Sequence, residues 1–234
     1  VNFETFEPVY EAILADLGFD RDADEAARDV AAGLSTPFDL SRFDGWEGRT
    51  VAVAGGAPCL REDEEIRRAR EADVVVAAST AADVLLEAGV AVDCLVTDLD
   101  KNPETAVELT ERGVPVAAHA HGDNVPAVRE WLPRFDADHT LTTTQAAPVG
   151  PVYNVGGFTD GDRAAFLADH AGAGRLTFPG WAFDDPEVDP MKARKLAWAA
   201  RLLGWLERLR GDRFAVLDDR RDRVDRELEA LLEP

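Results

Sequence analysis

The chain has 234 residues, 46% of them hydrophobic, which suits one sizeable α/β core better than two full domains. Asp and Glu outnumber Lys and Arg by 46 to 25, and the resulting net charge of −21 excludes the basic footprint of a nucleic-acid binder. No apolar run reaches the roughly 18 residues of a membrane span, and Cys59 and Cys94 make neither a disulfide framework nor a zinc site.

Residues 3–17 and 23–33 carry apolar side chains at helical spacing, and 34–48 read as an irregular connection. A helical N-terminal extension is therefore expected over 1–45, ahead of an α/β domain over 46–234. From residue 50 the rhythm changes. TVAVA (50–54) predicts a buried strand, followed by Gly55-Gly56-Ala57 and a charged helix over 61–72. Strands follow at 73–78, 92–98, 114–120 and 140–144, with helices at 81–89, 103–113 and 124–135 between them. VYNV (152–155) is a further strand candidate, 160–172 a helix and 175–180 a strand. A long helix over 189–211, a last strand at RFAVLDD (213–219) and a terminal helix over 220–232 complete the pattern. Strands alternating with helices predict a mostly parallel, Rossmann-like sheet covered on both faces, with ligands beyond the carboxyl ends of the strands.

The acidity is spread along the whole chain, and only three of the 25 basic residues are lysines: Lys101, Lys192 and Lys195. Dispersed negative charge and lysine avoidance lead us to expect a halophilic protein working in a salty cytoplasm. The opening residues show no basic segment followed by an apolar stretch, so no signal peptide is read and a cytoplasmic location is expected.

The residues that can carry chemistry cluster at predicted strand ends. In VTDLDKN (96–102), Asp98 and Asp100 stand two apart, so in extended backbone both face one side and can share a hard cation. In HAHGDN (119–124), His121 and Asp123 follow another strand, with Asp123 a third carboxylate for the same cation or the N-cap of the next helix. NVGGFTDGDRAAF (154–166) places Asn154, Thr159 and Asp160 before a helix whose N-terminus favours anions, although capping alone explains much of it. Gly55, Gly56 and Ala57 form a weak phosphate-loop candidate without a Walker lysine. Lys192 and Lys195, three apart on a helix, can neutralise phosphates as point charges. Trp198 and Trp205, seven apart, read as a buried stripe.

Taken in order, AGGAPCL, VTDLDKNPE, HAHGDN, GGFTDGDRA and DPMKARKL resemble the archaeal 6-hydroxymethyl-7,8-dihydropterin diphosphokinase family over roughly residues 50–205. That family is similar in fold to thiamine diphosphokinases. Two positions depart from its pattern: Lys101 stands where glycine is usual, and Ala57-Pro58-Cys59 replaces glycine-proline-serine. The resemblance implies a magnesium-dependent enzyme that transfers diphosphate from ATP to the pterin's hydroxymethyl group and releases AMP, within folate- or methanopterin-type pterin biosynthesis. It implies Asp98, Asp100 and Asp123 on the metal, Lys192 and Lys195 on the triphosphate, and residues 55–57 at the nucleotide. His121 or Asp160 would accept the hydroxyl proton, and Asn154 and Thr159 would read the pterin edge. Relatives of this fold pair, so a homodimer is expected. The alternatives are a metal-dependent nucleotide-sugar glycosyltransferase, a thiamine diphosphokinase and a non-catalytic nucleotide-binding module.

Overall fold

The structure, a computed structural model, describes residues 1–232. Six parallel strands form one sheet in the order β5-β4-β3-β2-β1-β6. They are β1 (Thr50–Ala54), β2 (Val74–Ala78), β3 (Cys94–Thr97), β4 (Val116–Ala120), β5 (Thr140–Thr144) and β6 (Arg175–Thr177). The central strands are short runs of Val, Ala and Leu buried on both faces, as a parallel sheet between helical layers requires.

Alternate strand residues feed two separate cores. Val51, Val53, Val74, Val76, Cys94 and Val96 point into one, with helices α1 (Phe3–Leu17), α7 (Asp160–His170), α8 (Pro190–Arg210) and α9 (Arg221–Leu232). Ala54, Val75, Ala77 and Leu95 point into the other. There they meet α2 (Arg21–Ala32), α3 (Asp63–Arg70), α4 (Ala81–Glu87), α5 (Pro103–Glu111) and α6 (Val125–Trp131). The two N-terminal helices thus sit on opposite faces of the sheet. Trp198 and Trp205 are both buried on α8, as their spacing predicts.

Two expected strands are absent. RFAVLDD forms a 3₁₀ helix, Ala215–Arg220. Its buried residues, Phe214 and Leu217, stand three apart and face α8 and α9, a helical spacing rather than an alternation. VYNV contributes only isolated bridges, parallel from Tyr153 to Thr143 and antiparallel from Val152 to Val149, because the Asn154 side chain clamps the loop instead of letting the strand continue. The connection over 34–48 contains a 3₁₀ helix, Leu40–Trp46.

β1 to β5 step outward in one direction, and β6 returns to the far side of β1. The strand order therefore reverses between β1 and β6. A crevice opens beyond the carboxyl ends of strands at such a reversal.

Candidate active site

The tips of β3 and β4 are tied together before any ligand arrives. Asn124 Nδ2 donates to the Asp98 and His119 carbonyls, both at 2.7 Å, and its Oδ1 accepts the His121 N–H at 3.0 Å. Asn124, not Asp123, is the residue before α6, and Asp123 is left exposed on the rim. β3 ends at Thr97, so Asp98 and Asp100 do not alternate along a strand as expected. They meet because the buried Leu99 between them adopts a left-handed conformation, φ 68°, costly for a branched residue. The Asp100 N–H lies 3.4 Å from Asp98 Oδ1.

The two carboxyl groups are driven apart electrostatically. Burial pushes the Asp98 carboxyl up, but hydrogen bonds from His121 and Asp100, with the Arg163 charge, carry it well below the ordinary carboxylate range. Partial desolvation, and then the hydrogen bond and charge of Asp98, push Asp100 up to about 6. The two members of the pair thus titrate far apart, Asp98 ionised throughout and Asp100 giving up its proton only at about 6. His121 Nε2 stands 3.8 Å from Asp98 Oδ2. His119 beneath it is buried, with Nδ1 2.9 Å from Thr143 Oγ1, and desolvation holds its ring neutral.

A first cleft of about 780 Å³ opens over this pair. It brings together Asp98, Asp100, His121, Asp123, Thr159, Asp160, Lys192 and Lys195. A second cleft of about 800 Å³ lies at the strand-order reversal and takes Gly55, Gly56 and Ala57. The clefts meet at four residues common to both: Lys101, Thr159, Asp160 and Lys192. At this junction, burial and then the Asp98 charge push the Asp160 carboxyl up to about 7, against the pull of Arg163. Arg163 Nη1 donates to Asp160 Oδ1 at 3.1 Å. Burial, with the Lys101 charge next, lowers the Lys192 ammonium. Lys195 Nζ stands 5.4 Å from the Phe19 ring and 6.0 Å from that of Phe158.

The second cleft is organised around Trp181. Its indole N–H donates to the Val53 carbonyl at 2.9 Å, and two glycines flank the ring. A Cβ on Gly55 would meet Trp181 at 2.9 Å, and one on Gly161 would meet it at 2.8 Å. The 55–57 loop is not a phosphate nest: the Gly55 and Ala57 N–H groups already donate to the Pro179 and Gly180 carbonyls, at 2.9 and 3.1 Å. At the mouth of β2, Ser79 is a second non-glycine residue at positive φ, 50°.

The segment around Asn154 meets different geometry from that expected. Asn154 lines neither cleft: its Nδ2 donates to the Gln145 and Ala146 carbonyls, and its Oδ1 accepts the Gly156 N–H at 2.8 Å. The Gly156-Gly157 backbone approaches α7, not a ligand. Asp162 is spent on a capping box with Thr159, whose hydroxyl donates to it at 2.6 Å. Among the described residues, no three His, Cys, Asp or Glu side chains converge as a ready-made metal centre, so Asp123 shares the cleft without completing a three-carboxylate cluster.

The Asp98–Asp100 pair nevertheless fits a hard cation. Magnesium takes one or two carboxylates and fills its octahedron with waters and substrate phosphates, and two mutually repelling carboxyl groups beside Lys101 and Lys192 suit that role. Several lining residues escaped the sequence reading: Phe19, Asp24, Gln145, Phe158, Arg163, Ser79 and Trp181. Lys101 carried a signal in its rarity. Asp24 is one of 46 acidic residues and carried none.

No helix of the described residues is long and apolar enough to cross a membrane. A family model described as "6-hydroxymethylpterin diphosphokinase MptE-like" matches residues 31–187. The chain is 39% identical over 216 residues to a protein of Methanothermobacter thermautotrophicus named 6-hydroxymethyl-7,8-dihydropterin pyrophosphokinase, covering 85% of this chain and 92% of that one. Proteins of the same name from Pyrococcus furiosus and Methanocaldococcus jannaschii are 34% and 28% identical, each over 88% of this chain and over 95% and 96% of their own lengths. The parallel sheet, the paired carboxylates at its β3 tip and the match across most of its length place this chain in the 6-hydroxymethylpterin diphosphokinase MptE-like family.

Proposed function

We propose that this protein is a magnesium-dependent diphosphokinase that transfers diphosphate from ATP to 6-hydroxymethyl-7,8-dihydropterin, yielding the pterin diphosphate and AMP. What carries the reading is the junction: two adjoining clefts share Lys101, Thr159, Asp160 and Lys192 beside the Asp98–Asp100 pair. The relatives' printed names supply the pterin acceptor and the pyrophosphoryl transfer.

ATP lies with its adenosine in the second cleft, against the 55–57 loop and Trp181, and its phosphates cross the junction. Lys101, Lys192 and Lys195 neutralise them. Asp98 and Asp100 would hold magnesium, with Asp123 adding a third negative charge at the rim of the same cleft. When bound, the ion offsets charge on the phosphate oxygens. The pterin occupies the first cleft with its hydroxyl at the junction, where Thr159 can bond it. The hydroxyl oxygen attacks the β-phosphorus, the bond from that phosphorus to the α–β bridging oxygen breaks, and AMP leaves. Asp160, poised near neutral pH, takes the hydroxyl proton and is better placed than His121, which sits against Asp98. Positioning and charge neutralisation supply most of the rate.

The test is AMP release at high potassium chloride, with ATP and magnesium and with the dihydropterin, thiamine or a nucleotide sugar as second substrate. AMP formation with the pterin alone, abolished by EDTA, is expected. Turnover with thiamine or the nucleotide sugar and none with the pterin would contradict the reading.

A further inference from the structure

Asp24 is a carboxylate in an unexpected place. It lies on α2, ahead of the sheet in sequence, and only 3% of it is exposed. Three donors from three parts of the chain converge on it. The Tyr10 hydroxyl of α1 donates to Oδ2 at 2.8 Å, the Gln145 carboxamide beyond β5 donates to Oδ2 at 2.7 Å, and the Gly122 N–H beyond β4 donates to Oδ1 at 2.8 Å. All three donors are neutral. A buried carboxylate held by neutral donors alone stabilises a fold poorly compared with an apolar residue of similar size.

Two of the three bonds end on a wall of the first cleft. Gly122 is the turn residue between His121 and Asp123, and α2 lies so close there that a Cβ on Gly122 would meet that of Ala23 at 2.7 Å. Gln145 gives its amide N–H to Asp24, which leaves Oε1 to accept from Arg163 Nη2 at 3.0 Å. Arg163 in turn reaches Asp160. A carboxamide has one donor end and one acceptor end. Asp24, as acceptor, dictates which end faces Arg163. With Gln145 reversed, its NH₂ would confront the guanidinium, donor against donor.

We infer that Asp24 is a positioning residue of the active site: it orients Gln145, through Gln145 it aims the Arg163–Asp160 pair, and separately it pins the 121–123 turn. The N-terminal helices are then part of the working site rather than an appended arm. The activity readouts rest on the proposed diphosphate transfer; the geometry does not.

The test swaps hydrogen-bond polarity. Asp24→Asn keeps the size but presents an NH₂ toward Gln145, and is expected to lower kcat at least tenfold while KM for ATP changes less than threefold. In the double variant Asp24→Asn/Gln145→Glu, the new amide at position 24 donates to the new carboxylate at position 145, whose other oxygen again accepts from Arg163. That variant is expected to recover at least fivefold in kcat over Asp24→Asn. Tyr10→Phe removes a bond outside the cleft and should lower the melting midpoint while kcat stays within twofold of wild type. The Arg163 side-chain ¹⁵N NMR signals should be sharp in the wild type, broadened in Asp24→Asn and restored in the double variant. They report the same chain without any turnover, so a wild-type protein inactive on the pterin would count against the proposed function alone. Activity that only follows stability across the three variants, or a double variant no better than Asp24→Asn in both kcat and the Arg163 signals, would overturn the inference. If Asp24→Asn does not fold, Gln145→Glu alone sets two carboxylates against each other and should lose tenfold in kcat; full activity there overturns it equally.

Discussion

The two clefts sit side by side beyond the carboxyl ends of the strands and are held open by different means. The first is built of charge under tension: Asp98 and Asp100 pressed together across a left-handed Leu99, with Asp160 buried beside them. The second is built of shape: Trp181 set between Gly55 and Gly161, with the Gly55 and Ala57 N–H groups already bonded. On the proposed function, a bound cation would relieve the repulsion among these carboxyl groups, so the first cleft trades stability for chemistry. The second has little to relieve and, on the proposed function, seats the flat ring of the nucleotide. Variants in the first should therefore change turnover, and variants in the second should change substrate affinity.

The largest effect is expected at Asp100. Asp100→Asn should reduce AMP release by about a hundredfold or more, the scale of losing a group that stabilises transition-state charge. Its metal-free melting midpoint should hold or rise, because the repulsion from Asp98 is gone. Lys192 lies in both clefts and tests the border between them. Charge-assisted bonds of about 1.5–3 kcal/mol predict that Lys192→Ala loses roughly ten- to hundredfold in kcat/KM for ATP. Gly161→Ala pushes a methyl against the Trp181 ring, and steady-state kinetics should show KM for ATP raised a few-fold with kcat nearly unchanged. A kcat loss there equal to that of Asp100→Asn would erase the distinction between the clefts.

The smallest effect is on stability against pH. Asp160 has its carboxyl raised from an ordinary 3.8 to about 7 in the folded protein. Folded protein keeps this proton where unfolded chain has lost it, so the stabilising contribution is whole below pH 3.8 and disappears as pH rises through 7. Asp100 acts in the same direction, with its folded value at about 6. The metal-free wild type should therefore lose melting temperature relative to Asp160→Asn between about pH 4 and pH 7. A constant difference across that range would place Asp160 in a different environment.

The sheet was legible because its strands are short runs of Val, Ala and Leu separated by helices with clear stops, and β1 and β5 fall where their composition puts them. RFAVLDD misled because four apolar or aromatic residues in a row fit a strand and a 3₁₀ turn equally, and only packing against α8 and α9 decides between them. In the site, the residues that stood out were Asp98, Asp100 and His121 at strand ends and the scarce lysines, Lys101 after β3 and Lys192 and Lys195 on α8. Asp24, Gln145 and Arg163 did not, since what makes them matter is burial and mutual hydrogen bonding between segments more than a hundred positions apart in one case. Asn154 looked like a ligand-facing residue because an exposed loop amide and a loop-clamping amide have the same sequence signature.

Manganese, which reports by its spin resonance, tests the central claim most directly when titrated into the protein with a non-hydrolysable ATP analogue. Wild type is expected to bind one ion strongly only when the analogue is present. Asp98→Asn and Asp100→Asn should each weaken that binding at least tenfold, while Gly161→Ala leaves it unchanged at saturating analogue. Unaltered affinity in both aspartate variants would show that the β3 tip does not hold the ion, and the account of the site would fall.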